Sequence, residues 1–203
     1  DALASIPPLY YVVGRKEIGA YYRRLKKAAG DLPLYFYNIP YLLNISLDTE
    51  LAQSLYEEGS IQGMKYTHND ILTFRGIMEA CGNSLNILSG PDEHLLNFLV
   101  MGAHGGIGTT YNCMPKVYVD LYQAWTSGDI ALAQELQYQA NRIISILAEY
   151  NMIPAVKAVM QMKGWDCGDP RGPFLPLSDE EKAQLKSELD AIGFFECGSR
   201  TAA

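Results

Sequence analysis

Lys65 stands inside an apolar run, IQGMKYT, at residues 61–67. Lysine is rarely buried without a partner. Either it faces outward and pairs with an acid, or the fold holds an amine in a dry place. Dry surroundings disfavour the ammonium, and the free amine attacks a ketone to give a Schiff base. The resulting iminium draws electrons and eases cleavage or formation of a neighbouring C–C bond. Tyr37 closes the preceding apolar run, LPLYFYNIP. A phenol beside an amine can shuttle protons to a substrate hydroxyl. The plainer reading is a core aromatic with a hydrogen-bonded tip. In SGPDE, residues 89–93, Gly90 permits close approach of backbone to a ligand. Asp92 and Glu93 can accept hydrogen bonds from sugar hydroxyls. Both acids would equally suit the start of a following helix.

Two further groups carry less. GAHGGIGTTYN, residues 102–112, is glycine-dense and could cradle an anion, but it lacks the Lys-Ser/Thr of a P-loop. His68, His94 and His104 share no ligand spacing, so no metal site is expected.

Elements must bring these residues together. Short apolar runs alternate with helical patterns, which predicts a parallel sheet. Strands are expected at ALASI, LPLYFYNIP, IQGMKYT, LNILSG and GGIGTTY. Between them, Ile18, Tyr21, Tyr22 and Leu25 share one helical face that ends at Gly30, a second helix stops at Gly59, and Asn69 reads as the N-cap of a third. A fourth helical pattern covers DEHLLNFLVMGA. From residue 115 onward only helices are expected, over 115–126, 129–150, 153–163 and 178–192, with Ser178 and Glu181 at capping-box spacing. The pattern divides the chain into a strand-bearing part, 1–114, and a helical part, 115–203. Polar residues recur at strand ends: Tyr37 and Asn38, Lys65 and Thr67, Ser89 and Asp92, Thr109 and Thr110. In a (β/α)8 barrel, chemistry sits at the C-terminal ends of the strands. An open doubly wound sheet would want a Gly-rich loop after its first strand, and none is there. The expectation is therefore an α/β TIM barrel, of which five strands are present.

Bulk properties exclude several classes. The chain has 203 residues, 48% hydrophobic and 19% charged, with a net charge of −7. No basic stripe suggests nucleic acid as a partner. No apolar run approaches the ~20 residues of a membrane span. Cys81, Cys113, Cys167 and Cys197 form no C-x-x-C. With no positively charged signal region at the start, a cytoplasmic protein is expected. The chain opens without Met, as though within a strand, which suggests a fragment.

YNIP at 37–40, GMKYT at 63–67, SGPDE at 89–93 and GGIGTTYN at 105–112 together resemble the N-acetylneuraminate lyase and dihydrodipicolinate synthase superfamily. The resemblance runs from Asp1 to about Leu189. It implies strands 4–8 of a (β/α)8 barrel, then the last barrel helix and a C-terminal helical extension. It implies a class I, pyruvate-dependent aldolase, a homotetramer when full length, needing no cofactor. Lys65 would be the Schiff-base lysine and Tyr37 the proton relay. Thr67, Gly90, Asp92, Glu93 and Thr109 match positions that hold the sugar portion in the lyase. The synthases carry an arginine shortly after YN-x-P, to grip a second carboxylate. Here Tyr41, Leu42 and Leu43 follow instead, and the Asp92–Glu93 pair suits a polyol better than a second carboxylate. The implied reaction is reversible cleavage of N-acetylneuraminate to N-acetylmannosamine and pyruvate. A related aldolase for another 2-keto-3-deoxy sugar acid, a synthase-like activity, and an inactive truncated chain are the alternatives. The family's first three strands, with the loop that binds the pyruvate carboxylate, have no counterpart here.

Overall fold

A computed structural model describes residues 1–196 apart from Leu9, Asn44 and Ser46; Cys197 lies outside the described residues. These residues form two compact units, Asp1–Ile107 and Gly108–Ala203. The division falls inside the glycine-dense segment.

The first unit is a parallel five-stranded sheet whose spatial order follows the chain: β1 (Leu3–Ser5), β2 (Leu34–Asn38), β3 (Gly63–Tyr66), β4 (Asn86–Ser89) and β5 (Gly105–Gly106). Alternation assigns its two faces. Leu34, Phe36, Met64, Tyr66 and Ile87 point into a core shared with Ile18, Tyr22, Leu55, Phe74, Ile77 and Phe98 of the helices. The opposite face carries two successive cross-strand rows: Ala4, Tyr35, Gly63 and Asn86, then Tyr37, Lys65, Leu88 and Gly105. The strands are therefore apolar on the helix side only, and the second face is mixed.

Each connection has a local cause. α1 (Arg15–Ala29) ends at Gly30, whose φ of 61° favours glycine. Pro40 does not merely stop β2; it opens a single turn of helix, α2 (Pro40–Leu43). α3 (Thr49–Glu57) is capped by Asp48, which accepts from Leu51 N at 2.9 Å. α4 (Ile71–Ala80) is capped by Asp70, not Asn69: the carboxylate accepts from Thr73 N at 3.0 Å and Thr73 Oγ1 at 2.6 Å. After β4 the chain forms a 3-10 turn, Asp92–His94, and then α5 (Leu95–Val100). β5 is only two residues long, shorter than the strand expected over GGIGTTY. Glycines supply no side chains to hold it, and a second 3-10 turn follows at Thr110–Asn112.

The second unit is helical, as expected: α6 (Pro115–Ser127), α7 (Ile130–Glu149), α8 (Met152–Met162) and α9 (Asp179–Ala191). Ser178 and Glu181 make the capping box of α9, with both reciprocal bonds present. Buried Ala124, Ala133, Ala140 and Ala155 join Leu121, Ile143, Leu147, Val159, Leu185 and Leu189 in its core. Among the described residues no single helix is long and apolar enough to cross a membrane; α7 and α8 pass that test only together, across a 111° bend.

Candidate active site

Parallel pairing fixes the central contact. Tyr37 lies beside Lys65 in the β2–β3 register, and Lys65 beside Leu88 in the β3–β4 register. All three side chains emerge on the face away from the helices. Lys65 Nζ stands 4.3 Å from the centroid of the Tyr37 ring, over its face, within the range of an attractive cation–π contact. Met64 and Tyr66 on either side are fully buried while Lys65 itself is half-buried. The lysine is thus not sealed in an apolar interior. It rises from a buried strand with its amine against an aromatic ring.

The hydrogen-bond ladder continues past the strands and sets the next residues. Thr67 N donates to Asn38 O, and Gly90 N to Tyr66 O, both at 2.8 Å. This brings Gly90 against Thr67 so closely that a Cβ built on Gly90 would overlap the Thr67 hydroxyl. Thr67 Oγ1 is buried without a hydrogen-bond partner. An unpaired buried hydroxyl is costly, so a donor or acceptor arriving there would be rewarded. Asp92 is buried and Glu93 half-buried at the start of the 3-10 turn. The first unit therefore brings Tyr37, Lys65, Thr67, Gly90, Asp92 and Glu93 to the C-terminal end of one sheet. Thr109 belongs to the second unit, where it is exposed and precedes the 3-10 turn; Asn112 Nδ2 donates to its carbonyl at 2.9 Å.

The histidines take separate places. His68 keeps Nδ1 buried and unpartnered, its ring 6.2 Å from that of Tyr66. His104 Nδ1 accepts from Ile87 N at 3.2 Å. Among the described residues no three His, Cys, Asp or Glu side chains are grouped to hold a metal ion. A cavity of about 220 Å³ in the second unit, lined by Lys157, Asp166, Asp169 and Lys182, contains none of the residues singled out above. There Lys157 Nζ donates to the carbonyls of Cys167 and Gly168.

One neighbour of the site was not evident from the sequence as a polar contributor. Tyr41, on α2, has its phenol pushed above the ordinary value by desolvation, and further by Tyr37 and Glu93 nearby. Its position directly after YNIP was the available signal.

Comparison with known proteins defines the lineage. The Dihydrodipicolinate synthetase family model matches residues 1–192. The chain belongs to that family. This member is 35% identical over 192 residues to the N-acetylneuraminate lyase of Rhizobium meliloti (strain 1021), covering 95% of this chain and 63% of that protein. It is 32% identical over 195 residues to the 4-hydroxy-tetrahydrodipicolinate synthase of Methanopyrus kandleri, covering 95% and 64%. The solved Ruminococcus gnavus sialic acid aldolase superposes with a TM-score of 0.91 at 29% identity, over 98% of this chain and 67% of that one. The TIM-barrel class expected from the sequence is borne out, and the chain spans just under two thirds of the length of its curated relatives. Lyase and synthase lie at nearly equal identity, so overall similarity does not choose between their reactions.

Proposed function

We propose that the full-length protein is a Schiff-base aldolase that cleaves N-acetylneuraminate reversibly to N-acetylmannosamine and pyruvate. The observation that carries this reading is the Lys65–Tyr37 pair, with Nζ 4.3 Å from the ring centroid at the C-terminal end of adjacent strands. Membership of the family supports it, as does the solved catalytic lysine mutant of the similar Ruminococcus gnavus aldolase.

The steps follow from the two groups. The Lys65 amine adds to the C2 ketone of the open-chain sugar acid and water leaves, giving an iminium. Tyr37 takes the C4 hydroxyl proton, directly or through the substrate carboxylate. The C3–C4 bond breaks, its electrons pass to the iminium, and the aldehyde N-acetylmannosamine departs from an enamine. The proton taken from the C4 hydroxyl is then delivered from Tyr37 to C3 of the enamine, giving the pyruvate imine. Water then hydrolyses the pyruvate imine and frees the amine. No metal or other cofactor enters these steps. Thr67, Gly90, Asp92, Glu93 and Thr109 are assigned to the polyol and N-acetyl portion. The buried, unpartnered Thr67 hydroxyl and the adjacent carboxylates support that assignment. So does the absence of an arginine at Tyr41–Leu43, where a synthase would grip a second carboxylate. The family resemblance further supports a cytoplasmic homotetramer.

Pyruvate and borohydride test the reading in the full-length gene product. A reduced pyruvate adduct on Lys65, lost in Lys65→Met, is expected. Tyr37→Phe should keep the adduct and lose about 10²–10⁴-fold in turnover, the span usual for general acid–base catalysis. Absence of any adduct on Lys65 would sink the proposal. Turnover of a different 2-keto-3-deoxy sugar acid in preference to N-acetylneuraminate would reassign the substrate.

A further inference from the structure

The row beneath the amine is built around a missing side chain. Tyr35, Gly63 and Asn86 are register partners on β2, β3 and β4. They share the face of Tyr37, Lys65 and Leu88, one row toward the N-terminal ends, or about 6–7 Å along the strands. The Tyr35 ring leans across β3 so that a Cβ built on Gly63 would fall inside it. Its hydroxyl reaches past β3 and donates to Asn86 Oδ1 at 3.0 Å. One side chain thus bridges β2 to β4 over the glycine two residues before Lys65. Nothing in the chemistry proposed above uses either residue.

We propose that Tyr35 and Asn86 form a positioning strap that aims the Lys65 amine. This rests on the assignment of Lys65 as the Schiff-base lysine. The ring occupies the space over Gly63, one row beneath Lys65 on the same face, and so bars the lysine stem from lying back over that row. The hydrogen bond also fixes β2 against β4, and with it the placement of Tyr37 relative to Lys65. A strap needs the ring, the hydroxyl, its acceptor and the glycine together. Placement at this precision matters because a reacting group displaced by about 1 Å can cost on the order of a hundredfold in rate.

The test is a double-mutant cycle on the full-length gene product. Tyr35→Phe keeps the ring and removes the bond; Asn86→Leu removes the acceptor. The rate of borohydride-trapped pyruvate adduct on Lys65 is measured per folded subunit, alongside the thermal midpoint. Each single variant should trap about tenfold more slowly yet reach the same final stoichiometry, and the double variant should be no slower than either single one. Such non-additivity on imine formation is what a merely structural bond would not produce. Trapping rates equal to wild type, losses that multiply in the double variant, or slowing accounted for by unfolded protein would each overturn the strap while leaving the Lys65 assignment intact. A wild-type protein that forms no adduct overturns the assignment of Lys65 and the strap with it.

Discussion

At the residue scale, Thr67 and Gly90 are a matched pair. The backbone bonds Thr67 N to Asn38 O and Gly90 N to Tyr66 O bring the two residues together, and only a glycine at 90 leaves room for the threonine hydroxyl. Gly90→Ala would meet the Thr67 side chain and also its Cα, and backbone does not yield as a long side chain does. Overpacking of this kind costs about 1–3 kcal/mol. Urea denaturation should register that loss, and adding Thr67→Gly to the alanine variant should recover part of it; full stability in the single variant would contradict the close fit. The contact between Lys65 and Tyr37 was legible in the sequence, because parallel strands of similar length bring their last residues side by side. The Tyr35–Asn86 bond was not. Its two ends lie in different strands, and the glycine that lets the ring cross reads in sequence only as a small residue. Nor did the sequence signal that Thr67 would bury its hydroxyl without a partner.

At the element scale, the turn from β3 into α4 sets where the strand that carries Lys65 ends. Asp70 caps α4 through Thr73, while its carbonyl accepts from Tyr66 Oη at 2.7 Å. The Thr73 hydroxyl and amide hold the Asp70 carboxyl below its ordinary range. A depressed pKa in the folded state stabilises above the unfolded value, near 3.9, and the contribution is lost as pH falls through the folded one. Asp70→Ala should cost about 1 kcal/mol at neutral pH, typical of a lost N-cap. The advantage of wild type over Asp70→Asn should shrink as pH drops below about 4, read from denaturation midpoints at two pH values; a gap that widens in acid would refute the charge argument. The sequence-based choice of Asn69 missed by one residue because Asn and Asp are both good caps and stood adjacent. The capping box of α9 was legible because its two members lie at a fixed spacing that no neighbour duplicates. β5 was overextended for the opposite reason: glycines are permissive, so nothing in GGIG marks where pairing stops.

At the scale of the whole molecule, two compact units are joined between Ile107 and Gly108. The change from strand-and-helix to helix alone was legible, since the long elements from Pro115 onward are all helices. Among the described residues β2, β3 and β4 are each paired on both sides, whereas β1 and β5, of three and two residues, each have one strand partner. In this 203-residue chain by itself, native-state hydrogen exchange should therefore find the amides of Phe36 and Met64 opening only with the whole unit, and those of β1 and β5 exchanging through smaller openings. Equal protection across all five strands would contradict that ordering. The sheet also follows the chain, each strand lying beside its sequence neighbours. Every pairing then closes a loop of a few tens of residues, a modest entropic demand. During synthesis the strands that carry Tyr37 and Lys65 emerge before the turn that carries Asp92 and Glu93. The residues proposed as nucleophile and proton carrier thus precede, in order of synthesis, those proposed to select the substrate.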